Sequence, residues 1–150
     1  MNNSLFGKMQ SVLMSQSDIK DICDTLKRGY YPLAVSGLSS IHKAQLALII
    51  STLSEEGAPL LIITDDEAGA KRICDDINEM YAVSRNETAA YIYPAKDITL
   101  ARVESVSKEY EYQRLCVLAR LMDGSCKIVC ASAEAVMQRT IPPDVLADRT

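Results

Sequence analysis

The sequence has no tryptophan, one phenylalanine and one histidine in 150 residues. Its core must therefore be built from Leu, Ile, Val, Ala, Met and Tyr. A structural zinc site needs several Cys and His ligands at short spacing, but there is no CxxC and His42 has no second histidine to work with. Basic runs are absent too. A net charge of −4 and a pI near 5.0 argue against a dedicated nucleic-acid surface, because neutralising phosphates requires clustered Lys and Arg. No apolar run is longer than LALII, far short of a membrane span.

The chain does have the length of one domain and 48% hydrophobic residues against 24% charged, the balance of an ordinary globular protein. Cys23, Cys74 and Cys116 fall on apolar helical stripes, where cysteine acts as a small hydrophobe. Cys126 and Cys130 bracket KIV in an expected strand, roughly 13 Å apart and too far for a disulfide. An odd number of thiols and no secretory signal point to a reducing cytoplasm.

Four segments read as strands buried on both faces: YPLAVS (31–36), PLLIIT (59–64), AAYIY (89–93) and CKIVCAS (126–132). Helical patterns separate them. Ser17 is expected to cap a helix with the stripe Ile19, Ile22, Cys23 and Leu26, stopped by Gly29. Residues 40–54 suit a helix lying centrally on the sheet. Asp65, Asp66 and Glu67 open the next helix, which turns Ala70, Ile73, Cys74, Ile77 and Met80 inward. A helix near 107–123 is expected to bury Tyr112, Leu115, Cys116, Ala119 and Met122 and to stop at Gly124. Ser132 caps a short helix, and no further helix or strand is expected after Pro142-Pro143. This alternation predicts an α/β domain of P-loop-NTPase-like shape, with an open, mostly parallel sheet of about four strands and helices on both faces. The expected divisions are an N-terminal helical segment (1–29), the α/β lobe (30–143) and an exit (144–150), as in a fragment of a longer protein.

The loop after the first expected strand is where such folds hold phosphate. In VSGLSSIHKA, Lys43 follows Gly37 at the spacing of GxxxxGK[ST], but His42 replaces the second glycine and Ala44 the hydroxyl that would meet magnesium. If the frame is set by the strand end, Ala34, Ser39, Ser40 and Ile41 occupy the G, G, K and T positions. The favoured reading is a strand-to-helix turn with Gly37 at the bend and Ser39 or Ser40 as N-cap, without ATP. Asp65-Asp66 reads as helix capping rather than a Walker B pair. His42 reads as a surface residue with no adjoining nucleophile. Tyr91, Tyr93, Tyr110 and Tyr112 read as packing rather than a base-stacking platform. Lys71, Arg72, Lys108, Arg114 and Arg120 read as a solvated face with i, i+4 pairs. The residues alone point to no catalytic group and no metal site.

Taken in order, PLAVSGLSSIHKAQL, PLLIITDDEAGAKRICDDI, YIYPAKDI and EYEYQRLCVLARLMDGSCKIVCASAEAVMQRTIPP resemble the N-terminal end of the bacterial transcription-repair coupling factor family, Mfd. The resemblance covers about residues 30 to 143. It implies a module similar to the excision-repair subunit UvrB, with a degenerate phosphate loop at Ala34, Gly37, Ser39, Ser40 and Ile41 that hydrolyses no ATP. UvrB's tyrosine-rich damage-probing hairpin has no counterpart in YIYPAKDITLARVES. The full-length family member is an ATP-dependent DNA translocase that displaces stalled RNA polymerase. ATP and magnesium are bound in its downstream motor, and UvrA is recruited through the UvrB-like module. On this resemblance the chain is a cytoplasmic, non-catalytic lobe with no cofactor and no membrane contact. The main UvrA surface would lie beyond it, RNA polymerase and DNA would contact other domains, and the lobe would make intramolecular contacts that restrain the resting parent. Two other readings stay open, a nucleotide-binding P-loop-like regulatory domain and a small flavodoxin-like enzyme.

Overall fold

A computed structural model of the chain describes residues 11–53, 58–85, 87–96 and 104–147. The elements run α1 (Ser17–Lys27), α2 (Ser40–Leu53), β1 (Leu60–Thr64), α3 (Glu67–Arg85), β2 (Ala90–Tyr93), α4 (Glu104–Met122), β3 (Ile128–Ser132), α5 (Ala133–Met137) and α6 (Pro143–Ala147). The three strands form one all-parallel sheet in the order β1-β3-β2, with Ile128 opposite both Leu60 and Ala90. The last strand in sequence is thus the central one. Every residue of β3 is buried, as a strand flanked on both edges and covered on both faces requires.

The α/β class with an open parallel sheet holds, with three strands among the described residues where about four were expected. Residues 31–36 form no strand and are all exposed, Leu33 at 38% and Val35 at 40%. Apolar continuity marks a segment as able to be buried but does not supply a neighbour to pair with. Pro32 also removes one N–H that a ladder would use.

Strand alternation sends two residue sets to opposite faces. On one face Leu60, Ile62, Ala90, Ile92, Ile128 and Cys130 meet α2 and α3, where Ala44, Leu48, Ala70, Cys74, Ile77 and Tyr81 complete the main core. On the other face Tyr91, Tyr93 and Val129 pack against Val117 and Leu121 of α4, with Cys126 enclosed among them. That second layer covers β2 and β3 but not β1, so Leu61 and Ile63 stay 50% and 54% exposed.

Short-range signals fix the helix ends. Gly29 has a φ of 74° and terminates α1 with two capping bonds, from its own N–H to the Leu26 carbonyl and from the Tyr30 N–H to the Thr25 carbonyl. Asp66 accepts the Gly69 N–H at 2.6 Å and caps α3. Ser132 caps α5 by accepting the Ala135 N–H at 3.2 Å, and Gly124, with a φ of 73°, ends α4. The expected Ser17 cap is not made. Gln16 holds the cap position without a side-chain bond, and the Ser17 hydroxyl donates to Asp18.

Three further expectations are corrected. Helix α2 leans chiefly on α3 and meets the sheet mainly at β1, rather than lying across its centre. Helix α4 buries Arg114 and Val117 toward the sheet, whereas Tyr112 is 69% and Met122 47% exposed. The anticipated stripe of Tyr112, Leu115, Cys116 and Ala119 instead borders a cavity shared with Ile141, Pro142 and Leu146. Finally, the chain after Pro142 does form a helix, α6, with Pro143 at its first position and Leu146 buried.

Candidate functional site

The segment expected to hold a phosphate loop is a well-formed turn without a strand behind it. Gly37 has a φ of 79°, which makes glycine the favoured residue there. No atom lies within 4 Å of where its Cβ would stand, so glycine serves the bend and not a close approach of another group. Ser39 accepts the Lys43 N–H through its carbonyl at 3.0 Å, which opens α2. Its hydroxyl lies 3.0 Å from His42 Nδ1, and the Ser40 hydroxyl donates to Asp76 Oδ2 at 3.1 Å. Ala34 and Ile41 are both exposed, Ile41 at 53%. The loop is therefore tied to the middle of α3 through Asp76, and an acid already stands against the first hydroxyl of the helix.

At the end of β1, Thr64 Oγ1 donates to the Asp66 carbonyl at 2.6 Å and Asp66 caps the following helix. This agrees with the capping role read from the sequence. Asn78 performs a task the sequence did not signal. Its Oδ1 accepts the N–H groups of Ala89 and Ala90 at 3.0 and 2.9 Å, and its Nδ2 donates to the Ala90 carbonyl at 2.9 Å. One side chain thereby satisfies the backbone at the entry of β2.

The C-terminal end of the sheet is organised by Arg114, which is only 3% exposed. Its Nη1 donates to the Pro94 carbonyl at 2.7 Å and, at 3.4 Å, to both the Ala135 carbonyl and Gln138 Oε1. Gln138 in turn exchanges two bonds with the Lys96 backbone, accepting its N–H at 2.5 Å and donating to its carbonyl at 3.3 Å. The turn after β2, α4 and the exit of α5 are thus joined through one guanidinium. Arg114 also stacks over Tyr93, and Arg120 lies over Tyr91 with its guanidinium carbon 4.7 Å from the ring centroid. Arg114 is therefore not part of a solvated cationic face. The available signal was its position three residues before Val117 and seven before Leu121, on the stripe that faces the sheet.

All five cysteines are free. Cys74 and Cys130 hydrogen-bond to each other across the α3–β3 contact, which lowers the Cys74 thiol and raises that of Cys130. Burial raises Cys23 and Cys126. Enclosed thiols of this kind act as packing groups rather than nucleophiles.

Over 135 residues the chain is 26% identical to the transcription-repair-coupling factor of Bacillus subtilis (strain 168), a match that spans 90% of this chain and 11% of that protein. The chain is thus similar over most of its own length to about a tenth of a transcription-repair-coupling factor. No protein-family model matches the chain, and no solved structure matches it significantly. The relationship to a coupling factor and the geometry of residues 34–43 are independent observations. One concerns sequence similarity, the other a turn whose hydroxyls are engaged by His42 and Asp76.

Proposed function

We propose that this chain is a non-catalytic α/β lobe of a transcription-repair coupling factor, serving as scaffold for a UvrB-like module that recruits UvrA to lesions where RNA polymerase has stalled. The observation that carries this reading is the sequence relationship over 90% of the chain. The parent is then an ATP-dependent DNA translocase that meets polymerase and DNA through other domains, and ATP and magnesium belong to its motor.

The geometry supports a scaffold over a nucleotide site. A phosphate loop needs free backbone N–H groups and a helix start open to an anion. In this chain the Ser40 hydroxyl at the helix start is bonded to the Asp76 carboxylate, which opposes a second negative charge. The half-exposed Leu61 and Ile63 support intramolecular packing in the resting parent, since one sheet face is left open at β1.

Two measurements test the reading. Millimolar ATP with magnesium is expected to leave the melting temperature of the chain unchanged. Ligand at a hundredfold excess over its Kd would add about 2.7 kcal/mol, so a rise of several degrees would overturn the non-nucleotide scaffold. Replacing residues 30–143 in the parent is expected to abolish the faster repair of transcribed strands while the motor retains its ATPase activity. Unchanged strand bias would overturn the recruiting role.

A further inference from the structure

The two edges of the sheet are finished differently. At β2 the Ile128 N–H donates to the Ala89 carbonyl, so the backbone groups of Ala90 and Ile92 point away from β3. Asn78 takes up both groups of Ala90 and closes the edge there. At β1 the Leu60 N–H donates to the Lys127 carbonyl at 2.9 Å, so Leu61 and Ile63 are the residues whose N–H and C=O point outward. Among the described residues no strand pairs with that side. Nor does β1 carry the usual protection of an open edge. Its sequence, LLIIT, has no charge and no proline, and its register with β3 runs from Leu60 to Thr64 without a bulge.

The space beyond this edge is shaped for a strand. Helix α3 is seated chiefly over β3, and α2 packs beside α3. Packed helices lie about 8–10 Å apart, roughly two strand spacings of ~4.8 Å, so α2 roofs the position just outside β1. A groove of about 230 Å³ opens under that roof, lined by Leu26, Ile50, Leu53 and Leu60. On the opposite face a second groove, of about 290 Å³, runs along Leu61, Leu118, Leu121 and Val136. A strand laid along β1 sends alternate side chains to the two faces, and both faces are apolar there. Handedness agrees. The crossovers through α3 and α4 run in opposite directions on opposite faces and so share one hand. The same hand for the connection through α2 brings residues 31–36 to the open side of β1 as well.

We propose that the β1 edge receives one parallel strand, uncharged and apolar on both faces, from a longer polypeptide that contains this chain. For the source of that strand the inference rests on the reading of the chain as a lobe of a coupling factor, since the Bacillus subtilis relative is matched over 11% of its length. The added strand gives partners to the outward N–H and C=O groups of Leu61 and Ile63 and lays its side chains in the two grooves. A second copy of this chain fits poorly. Joined edge to edge about a two-fold axis, its β1 runs antiparallel and both α2 helices fall on one face over adjacent strands. They would then lie about 5 Å apart, where packed helices need about 8–10 Å.

The test is hydrogen exchange read by mass spectrometry, with fragmentation that resolves residues 60–64, in this chain and in the full-length polypeptide that contains it. In the chain alone the Leu61 and Ile63 amides are expected to exchange freely, while Ile62 is protected by its bond to β3. In the full-length protein both outward amides are expected to slow by about a hundredfold or more. Ile63→Pro removes one outward donor and none of the bonds to β3. It is expected to leave the melting temperature of the chain within a few degrees and to cost Leu61 most of its protection in the full-length protein. Equal exchange of the two amides in both proteins would overturn the proposal, whatever the proline variant does. Protection already present in the chain alone would also overturn it, assigning the edge to residues 31–36 if independent of concentration and to a second copy if not. Strand-biased repair, scored on the same full-length protein, keeps the two conclusions apart. Bias with unprotected amides overturns only the docked strand, and protected amides without bias overturn only the recruiting role.

Discussion

The guanidinium carbon of Arg114 sits 4.0 Å from the ring centroid of Tyr93, while its Nη1 holds the carbonyl of the next residue, Pro94. Helix α4 and the end of β2 are thereby fixed by one side chain acting twice, through a π face and through a backbone acceptor. Arg114→Leu removes the charge-assisted bonds and leaves the Pro94 carbonyl without its donor. An unfolding free energy lower by about 3 kcal/mol is expected, read from the urea midpoint at unchanged m. Arg114→Lys keeps the charge but not the fork, and should recover less than half of the loss. A leucine variant as stable as the original would mean that desolvating the guanidinium cancels its bonds.

Asn78 offers a cleaner case, because its short hydrogen bonds all go to backbone groups at the start of β2, with only a longer contact of 3.6 Å from its Nδ2 to the Cys74 sulfur besides. Asn78→Ala abandons the N–H groups of Ala89 and Ala90, both residues being 1% exposed. A loss of about 2–3 kcal/mol is expected. Asn78→Asp keeps the acceptor for both N–H groups but sets a carboxylate oxygen against the Ala90 carbonyl and the Cys74 sulfur, so its cost should fall as the pH is lowered and the carboxyl is protonated. Hydrogen exchange at Ala89 and Ala90 checks the mechanism directly, with protection falling first at those two amides.

These two residues show where sequence reasoning ends. The caps at Asp66, Ser132, Gly29 and Gly124 were legible because each depends on three or four consecutive residues. The three observed strands were legible as short apolar runs between helical periods. Arg114 was not, because α4 is apolar on two sides, and periodicity alone does not choose between the stripe facing the sheet and the one facing α6. Residues 31–36 failed for the opposite reason. Their composition suits a strand, but a strand exists only with a neighbour, and pairing is a property of the whole fold. At the candidate loop, the turn and the helix start were readable from Gly37 and Ser39, while the Ser40–Asp76 bond, 36 residues apart in sequence, was not.

Asp123 supplies a test with a defined pH sign. The hydroxyl and then the backbone N–H of Ser125 hydrogen-bond to its carboxylate and lower its pKa below the ordinary 3.8. The folded chain therefore holds this proton less tightly than the unfolded chain does. The resulting stabilisation is fully present above the unfolded value and is lost as pH falls through the lower folded one. The difference in stability between the original chain and Asp123→Asn should be constant above about pH 5 and shrink below it. A gap that widens on acidification would contradict the assignment.

Leu61 and Ile63 separate the needs of folding from those of assembly. Both lie on the β1 face that α4 does not cover and are about half exposed. Leu61→Lys and Ile63→Lys let the long side chain reach water while its methylenes stay on the sheet. Each is expected to change the stability of the chain by no more than about 0.5 kcal/mol, as for other surface positions, read from the urea midpoint. Under the proposed reading of the chain as a lobe of a larger coupling factor, the same two changes would place charges against the element that packs over this face. If the open face mediates intramolecular contact, the double variant should behave normally as an isolated chain yet release the resting state of the parent, visible as faster proteolysis between its domains. A parent digested at the original rate would assign Leu61 and Ile63 to solvent and remove them from the contact.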